Sequence, residues 1–314
     1  MVELPRLGMG TAALGNLYRA MSDAQAEGAV AAALAGGIRY FDTAPHYGFG
    51  LAEERLGRGL DARADVVVST KAGRLLTPVE RPARERHGFV DARPYEPVFD
   101  YSADAVLRSL DGSLARLRRD RVDILFAHDI GQLTHGDRHE ERLRQFLDEG
   151  YPAMRRLRDE GVVDAIGIGV NEVAICLDLI DRIELDLILL AGRYTLLDRS
   201  ANRLLAACAV RGVKVVIGGP YNSGILARPI ADDARFDYAP ASDAMLRRAR
   251  ALQATCDRLA VSLPAAALQF PLRHPAVASV IPGMASAAEV TETLARLAAP
   301  VSDALWGAVA DLPS

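Results

Sequence analysis

Four residues have types and spacing that suit shared chemistry: Asp42 and Tyr47 in "FDTAPHYG" (41–48), Lys71 in "STKAG" (69–73) and His128 in "ILFAHD" (124–129). A free phenol has a pKa near 10 and is a poor base at neutral pH, but a nearby cation favours phenolate and lowers that value. Lys71 would be the cation. Asp42 would keep the ammonium charged and oriented, and His128 would share a hydrogen bond with the reacting oxygen. The set suits hydride transfer at a carbonyl or an alcohol. Taken singly, each residue also has a structural reading: Asp42 as a turn former, Tyr47 as a packed aromatic, Lys71 as a solvated loop lysine, His128 as a core histidine. Only their joint placement argues for chemistry.

That placement depends on strands. Eight short apolar runs are bounded by glycine or polar residues, at 6–14, 37–44, 65–71, 121–129, 162–170, 185–191, 213–219 and 277–283. Several are apolar on both faces, as parallel strands between two layers require. Helical patterns alternate with them, near 22–37, 51–60, 103–119, 148–160, 172–182, 199–211, 243–259 and 286–297, the first with Ser22 as N-cap. Eight such alternations predict a (β/α)8 TIM barrel, one domain over residues 1–314, with chemistry at the C-terminal ends of the strands. An open doubly wound sheet is the alternative, but "GMGTAA", "GFGLAE" and "GIGVNE" all lack the third glycine of a dinucleotide fingerprint. The connections 72–101, 130–147 and 220–242 exceed ordinary βα loops, and we read them as lids or substrate loops.

A net charge of −4 gives no electrostatic reason to expect a nucleic-acid or anionic-membrane partner. The arginines of "RLRRDR" (116–121) read as solvated helix ends. Cys176, Cys208 and Cys256 lie far apart, with no CxxC pair, which suits a reducing cytoplasm. The N-terminus lacks a secretion pattern, and no apolar run reaches the length of a membrane span. His135 and His139 in "HGDRH" read as solvated loop residues, and no metal site is expected. The expected partner is a small molecule. Nothing in the sequence sets the oligomeric state.

With these motifs in place, the sequence resembles the aldo-keto reductase superfamily over nearly its whole length. The resemblance implies Tyr47 as general acid/base, Lys71 and Asp42 as the groups that tune it, and His128 as the residue that orients the substrate oxygen. It also implies an extended nicotinamide cofactor bound on a barrel without a Rossmann motif. Within the superfamily, "GTAALGNLYRAMSD", "FDTAPHYGFGLAEERLG", "LLAGRYTLLDRS", "VIGGPYNSGIL" and "AALQFPLRHPAVASVIPG" resemble the D-threo-aldose 1-dehydrogenase (L-fucose dehydrogenase) group. Pyridoxal 4-dehydrogenase and the L-galactose dehydrogenases are close to it. The implied reaction is oxidation of an aldose of L-fucose, D-arabinose or L-galactose type at C1 to the aldonolactone.

For the cofactor, the resemblance points to Gly10, Thr11 and Asp42 at the first strands, and to Asn171, Gly218, Gly219, Pro220 and Gly224. Pro282, Gly283, Met284, Glu289, Glu292 and Thr293 follow near the C-terminus. Many NADP-dependent relatives carry a basic residue, an arginine and an asparagine where this chain has Gly283, Glu289 and Thr293. A carboxylate at Glu289 should repel a 2'-phosphate and accept a ribose hydroxyl, which favours NAD, with NADP as the alternative. Glu289 also reads as an acid favoured at a helix start. Where reductases often carry glutamine and a stacking tyrosine, this chain has Ala191 and Gly218. Asn171 reads as an amide binder or a helix cap, and His46 as a contact for sugar hydroxyls. Competing readings with the same residues are oxidation of pyridoxal, a cofactor-sensing regulatory subunit, and a Schiff-base aldolase acting through Lys71.

Overall fold

A computed structural model describes residues 2–61 and 63–310. Eight parallel strands form the barrel: β1 (Met9–Gly10), β2 (Tyr40–Asp42), β3 (Val67–Ala72), β4 (Ile124–His128), β5 (Ala165–Val170), β6 (Leu187–Ala191), β7 (Lys214–Gly218) and β8 (Val277–Ile281). They are hydrogen-bonded in chain order from β1 to β8. Two isolated bridges, Leu7 with Val280 and Gly10 with Gly283, join the ends of the sheet, so closure is nearly complete. Gly8 N donates to Val280 O at 2.9 Å and Gly10 N to Pro282 O at 3.0 Å across that seam. Seven of the eight expected runs contain one of these strands whole, and the run 65–71 stops one residue short of the end of β3.

Alternation along each strand decides which side chains enter the barrel. Tyr40, Ile124, Phe126, Ala165, Leu187, Leu189, Val216 and Ile281 fill the interior as one apolar cluster. Their alternates, such as Phe41, Val68, Leu125 and Ile188, pack against the helices in the larger outer core. The consequence for chemistry is direct. Asp42 is two residues beyond Tyr40, and His128 is two beyond Phe126, so both point inward at the C-terminal rim. Lys71 has the same parity on β3, with Ser69 below it. The register aligns them, Asp42 opposite Ser69 and His128 opposite Gly169.

The expected helices are present with shifted ends. Ser22 caps Asp23–Ala35 in a capping box with Gln25, and Ser102, Ser242 and Ser286 each accept a backbone N–H at the start of their helices. Two short helices escape the sequence pattern, Leu263–Gln269 and Asp303–Ala310. The long connections are structured. Segment 72–101 holds an antiparallel hairpin of Arg74–Pro78 with Tyr95–Phe99 and a smaller one of Glu85–Arg86 with Phe89–Val90. Segment 130–147 carries helical turns at Gln132–His135 and His139–Gln145, and segment 220–242 a hairpin of Arg235–Phe236 with Ala239–Pro240.

Two expectations about polar residues are corrected. Arg116 is not a solvated helix end: its Nε donates to Glu53 Oε2 at 2.6 Å, because Glu53 is fully buried and needs a cation there. His135 and His139 are not solvated loop residues either. His139 is buried, and the His135 ring packs on Phe99 at 4.5 Å while its Nε2 lies 3.0 Å from Tyr101 Oη. Among the described residues, no helix is long and apolar enough to cross a membrane.

Candidate active site

Lys71 is the hub of the inward-facing set. Its Nζ donates to Asp42 Oδ2 at 2.7 Å, to the Thr43 carbonyl at 2.8 Å and to Tyr47 Oη at 3.1 Å. All three ammonium hydrogens are thereby used, although Lys71 is 2 % exposed. Burial alone would depress the lysine, but Asp42 and Tyr47 outweigh it and hold the ammonium above its ordinary range. Ser69 Oγ donates to Asp42 Oδ1 at 2.7 Å and lies 3.1 Å from Tyr40 Oη. The glycine at 169 leaves room for the lysine, since a Cβ there would sit 3.3 Å from Lys71 Cε.

Tyr47 departs from the simplest expectation. Burial raises its phenol above the ordinary value, and this outweighs the lowering effect of Lys71. The hydroxyl of the free protein is therefore protonated at neutral pH. His128 is buried beside it, the rings edge to face at 6.1 Å, and burial followed by the charges of Arg74 and Lys71 pushes its pKa well down. It is a neutral imidazole with one N–H available. Tyr101 Oη donates to the His128 carbonyl at 2.6 Å and anchors that strand end from behind. The loop bearing Tyr47 rests on Gly15, whose missing Cβ would lie 2.6 Å from Tyr47 C and 2.7 Å from Gly48 N.

These groups open onto two connected cavities. One, of about 450 Å³, is lined by Tyr47, Lys71 and His128 together with His46, Arg74, His87, Phe89, Asp129 and Asn171. The other, of about 920 Å³, is a groove running from Asp42 and Tyr47 past β7 to the start of the helix Ala287–Ala298. Tyr47, Tyr18, Leu189, Ala191 and Tyr238 line both, so the two meet at the phenol.

Residues 6–312 match the Aldo/keto reductase family. The chain belongs to that family. It is 41 % identical to a pyridoxal 4-dehydrogenase of Microbacterium luteolum, covering 96 % of this chain and 91 % of the relative. It is 39 % identical to a D-threo-aldose 1-dehydrogenase of a Pseudomonas species, covering 99 % and 94 %. An aldo-keto reductase of Bacillus halodurans, solved in a holo form, superposes with a TM-score of 0.76 at 25 % identity, covering 98 % of this chain and 92 % of that one. This aldo/keto reductase is accordingly an oxidoreductase of a family that uses NAD(P)H.

The groove fits such a dinucleotide. Gly10, Thr11, Asp42, Gly218, Gly219, Pro220, Gly224, Gly283, Glu289, Glu292 and Thr293 line it. Gly224 and Gly283 have no neighbour within 4 Å of a would-be Cβ, which leaves backbone open to a ligand, and Asn222 leaves a buried Oδ1 unpartnered there. Pro282 and Met284 are buried and do not line it. Asn171 is not a helix cap, since Glu172 holds the N-cap position of Val173–Leu179; it lines the smaller cavity instead. Glu289 is the helix-start acid that the sequence offers, and it also carries an ion pair. Its Oε2 accepts from Ala285 N at 2.7 Å at the helix start, and its Oε1 meets Arg19 at 3.2 Å on the groove wall.

His46 lines the smaller cavity with Nε2 3.2 Å from Arg74 Nη1, its pKa pushed well down by burial and then by Arg74. Several residues of this site were not singled out in the sequence. Arg74 directly follows the motif of Lys71 and Asp129 ends that of His128, a proximity that was the available signal. Tyr238 and His87 come from hairpin tips. The Tyr238 hairpin is tied down by Arg193, which donates to both carboxylate oxygens of Asp237 at 3.0 and 2.8 Å.

Proposed function

We propose that this aldo/keto reductase oxidises C1 of a small cyclic aldose, of L-fucose, D-arabinose or L-galactose type, to the aldonolactone with NAD as acceptor. The observation that carries the reading is the Lys71 bridge between Asp42 and Tyr47 beneath a cavity of mixed polar and apolar lining, at the point where that cavity meets the groove. A nicotinamide bound in the groove would supply the hydride acceptor. Tyr47 takes the proton of the C1 hydroxyl as the hydride leaves C1. Lys71 stabilises the phenolate from which that transfer starts, and Asp42 keeps Lys71 charged. His128, neutral and buried, donates its N–H to the reacting oxygen and fixes the substrate. The lining around them, with Arg74, Asp129, His46, His87 and Asn171, offers donors and acceptors in the mixture that sugar hydroxyls need.

The relative that oxidises pyridoxal supports a second reading, oxidation of that alcohol by the same residues, with Phe89 as an aromatic wall. An aldolase role for Lys71 is disfavoured, because an amine held charged by Asp42 is a poor nucleophile. NAD is favoured by the Glu289 carboxylate on the groove wall, with NADP as the alternative. The buried free thiols of Cys176, Cys208 and Cys256 support a cytoplasmic setting. The deciding experiment mixes the purified protein with NAD or NADP and L-fucose, D-arabinose, L-galactose, D-xylose or pyridoxal, following reduced nicotinamide. Reduction with pyridoxal alone would transfer the assignment to the second reading. No reduction with any of the five would remove both.

A further inference from the structure

Two charged residues stand at the rim beside His128 and take no part in the proton transfer just described. Asp129 is the next residue after His128, and Arg74 lies three beyond Lys71. Arg74 Nη2 donates to Asp129 Oδ2, and the two side chains are 13 % and 19 % exposed, both lining the smaller cavity with Tyr47 and His128. Neither is loosely held. The Arg74 guanidinium lies over the Phe99 ring at 4.5 Å, with His46 Nε2 at 3.2 Å from its Nη1. Asp129 has a left-handed backbone, φ 52°, which its neighbours maintain: Asp129 N donates to Gly169 O at 2.9 Å, and its carbonyl lies 3.2 Å from Tyr101 Oη. Non-glycine residues kept in that region are often placed for function.

The pair is fixed yet incompletely used. Arg74 Nε is buried without a partner, and Asp129 Oδ1 makes no hydrogen bond to the described residues. The Asp129 Oδ1 acceptor and further guanidinium N–H groups of Arg74 thus remain unused, with the net charge of the pair already cancelled. We propose that Asp129 and Arg74 are the specificity-determining pair of this site, which binds a hydroxyl on the carbon next to the reacting one and excludes anionic substrates. The inference rests on the aldose reading for the identity of the substrate. Its chemistry is independent of that reading. A substrate hydroxyl donates to Asp129 and accepts from Arg74, one group satisfying both, whereas a methylene displaces water from Asp129 and leaves its oxygen unpaired. A phosphate would need to displace Asp129 from Arg74 and would meet an uncompensated carboxylate beside it.

The test compares kcat/KM for an oxidised aldose and its 2-deoxy counterpart, and measures competitive inhibition by inorganic phosphate against the sugar at saturating cofactor. The wild-type protein is expected to prefer the hydroxylated sugar by about tenfold or more, the loss expected when hydrogen bonds to charged groups go unmade. Asp129→Asn should bring that ratio towards one and tighten phosphate inhibition about tenfold, because Arg74 is then uncompensated. Unfolding cannot mimic that gain. Arg74→Lys, the second variant, keeps the charge and loses the planar fork, so the ratio should fall while phosphate stays excluded. An unchanged ratio in either variant, or no gain in phosphate inhibition with Asp129→Asn, overturns the proposal. If the wild-type protein oxidises no aldose but reduces an aromatic aldehyde, the aldose reading fails by itself. Phosphate inhibition of that reduction then decides the pair: tighter in Asp129→Asn supports it, unchanged overturns it.

Discussion

Ser69 Oγ donates to Asp42 Oδ1 at 2.7 Å, while Lys71 Nζ takes the other carboxylate oxygen at the same distance. A carboxylate that is 2 % exposed thus has both oxygens satisfied, which is what permits it to stay ionised there. Burial raises its pKa, and the Lys71 and Ser69 bonds oppose that rise. Ser69→Ala removes one of them and leaves Oδ1 bare in a dry site. The expected outcome is a loss of about 1–3 kcal/mol in unfolding free energy by urea titration, with a several-fold lower kcat. Unchanged stability would show that water replaces the hydroxyl.

With Tyr47 as the proposed acid/base, the pH profile follows from its phenol, which is raised above its ordinary value. A raised acid is protonated at neutral pH, so the form able to accept a proton grows as pH increases. Log kcat/KM for oxidation should therefore climb from neutral into the alkaline range, and the reverse reduction, which uses the protonated phenol, should be flat across neutral pH. Lys71 pulls the phenol down, so Lys71→Met should move the oxidation limb to still higher pH. Tyr47→Phe should lower turnover by about 10²- to 10⁴-fold with cofactor binding retained. Oxidation that is independent of pH between neutral and alkaline values would remove Tyr47 from proton transfer.

The strands and the inward parity of Asp42, Lys71 and His128 were legible because buried parallel strands leave apolar runs, and a polar residue ending such a run stands out. Tyr47 was legible through its distance from Asp42 within one short loop. What sequence periodicity did not convey were contacts made across chain-distant elements. Arg116 looked solvated because its buried partner, Glu53, lies on another helix, 63 positions away. His135 looked like a loop residue because its helix is a single turn and its partners, Phe99 and Tyr101, arrive from another connection. Arg74 and Asp129 meet through the start of a hairpin and a left-handed backbone turn, neither of which has a periodicity. The net direction of the Tyr47 shift was likewise hidden, since it depends on how far burial exceeds the charge of Lys71, and burial is a property of the fold.

The proposed preference for NAD turns on Glu289. Its carboxylate lies on the groove wall, bound to Ala285 N at 2.7 Å and paired with Arg19 at 3.2 Å. Glu289→Arg should remove a repulsive charge and supply a phosphate donor, shifting the NADP over NAD ratio of kcat/KM upward by about tenfold or more. The loss of the bond to Ala285 N should also reduce stability by about 1 kcal/mol, since a helix start loses its acid. An unchanged ratio with reduced stability would assign Glu289 to the helix alone.

The position of Tyr47 is set by a contact between two backbones. Gly15 lies at the end of the short turn Ala12–Gly15 after β1, and a Cβ on it would stand 2.6 Å from Tyr47 C and 2.7 Å from Gly48 N. Gly48 faces it with φ 63°, and a Cβ there would come within 2.4 Å of Gly15 O. Neither loop can yield by rotating a side chain, because the clashing atoms are main chain. Gly15→Ala must therefore push the loop bearing Tyr47, at a cost of about 1–3 kcal/mol in stability. A displacement of the phenol by roughly 1 Å from Lys71 can lower turnover by about a hundredfold, since hydride and proton transfer both depend on that alignment. Gly28→Ala is the matched control: it lies within the helix Asp23–Ala35 with nothing within 4 Å of its would-be Cβ, so it should raise stability by about 0.5–1 kcal/mol and leave turnover alone. Melting temperature and kcat measured on both variants check the argument, and a Gly15→Ala protein with wild-type kcat would show that the two loops do not set the phenol's position.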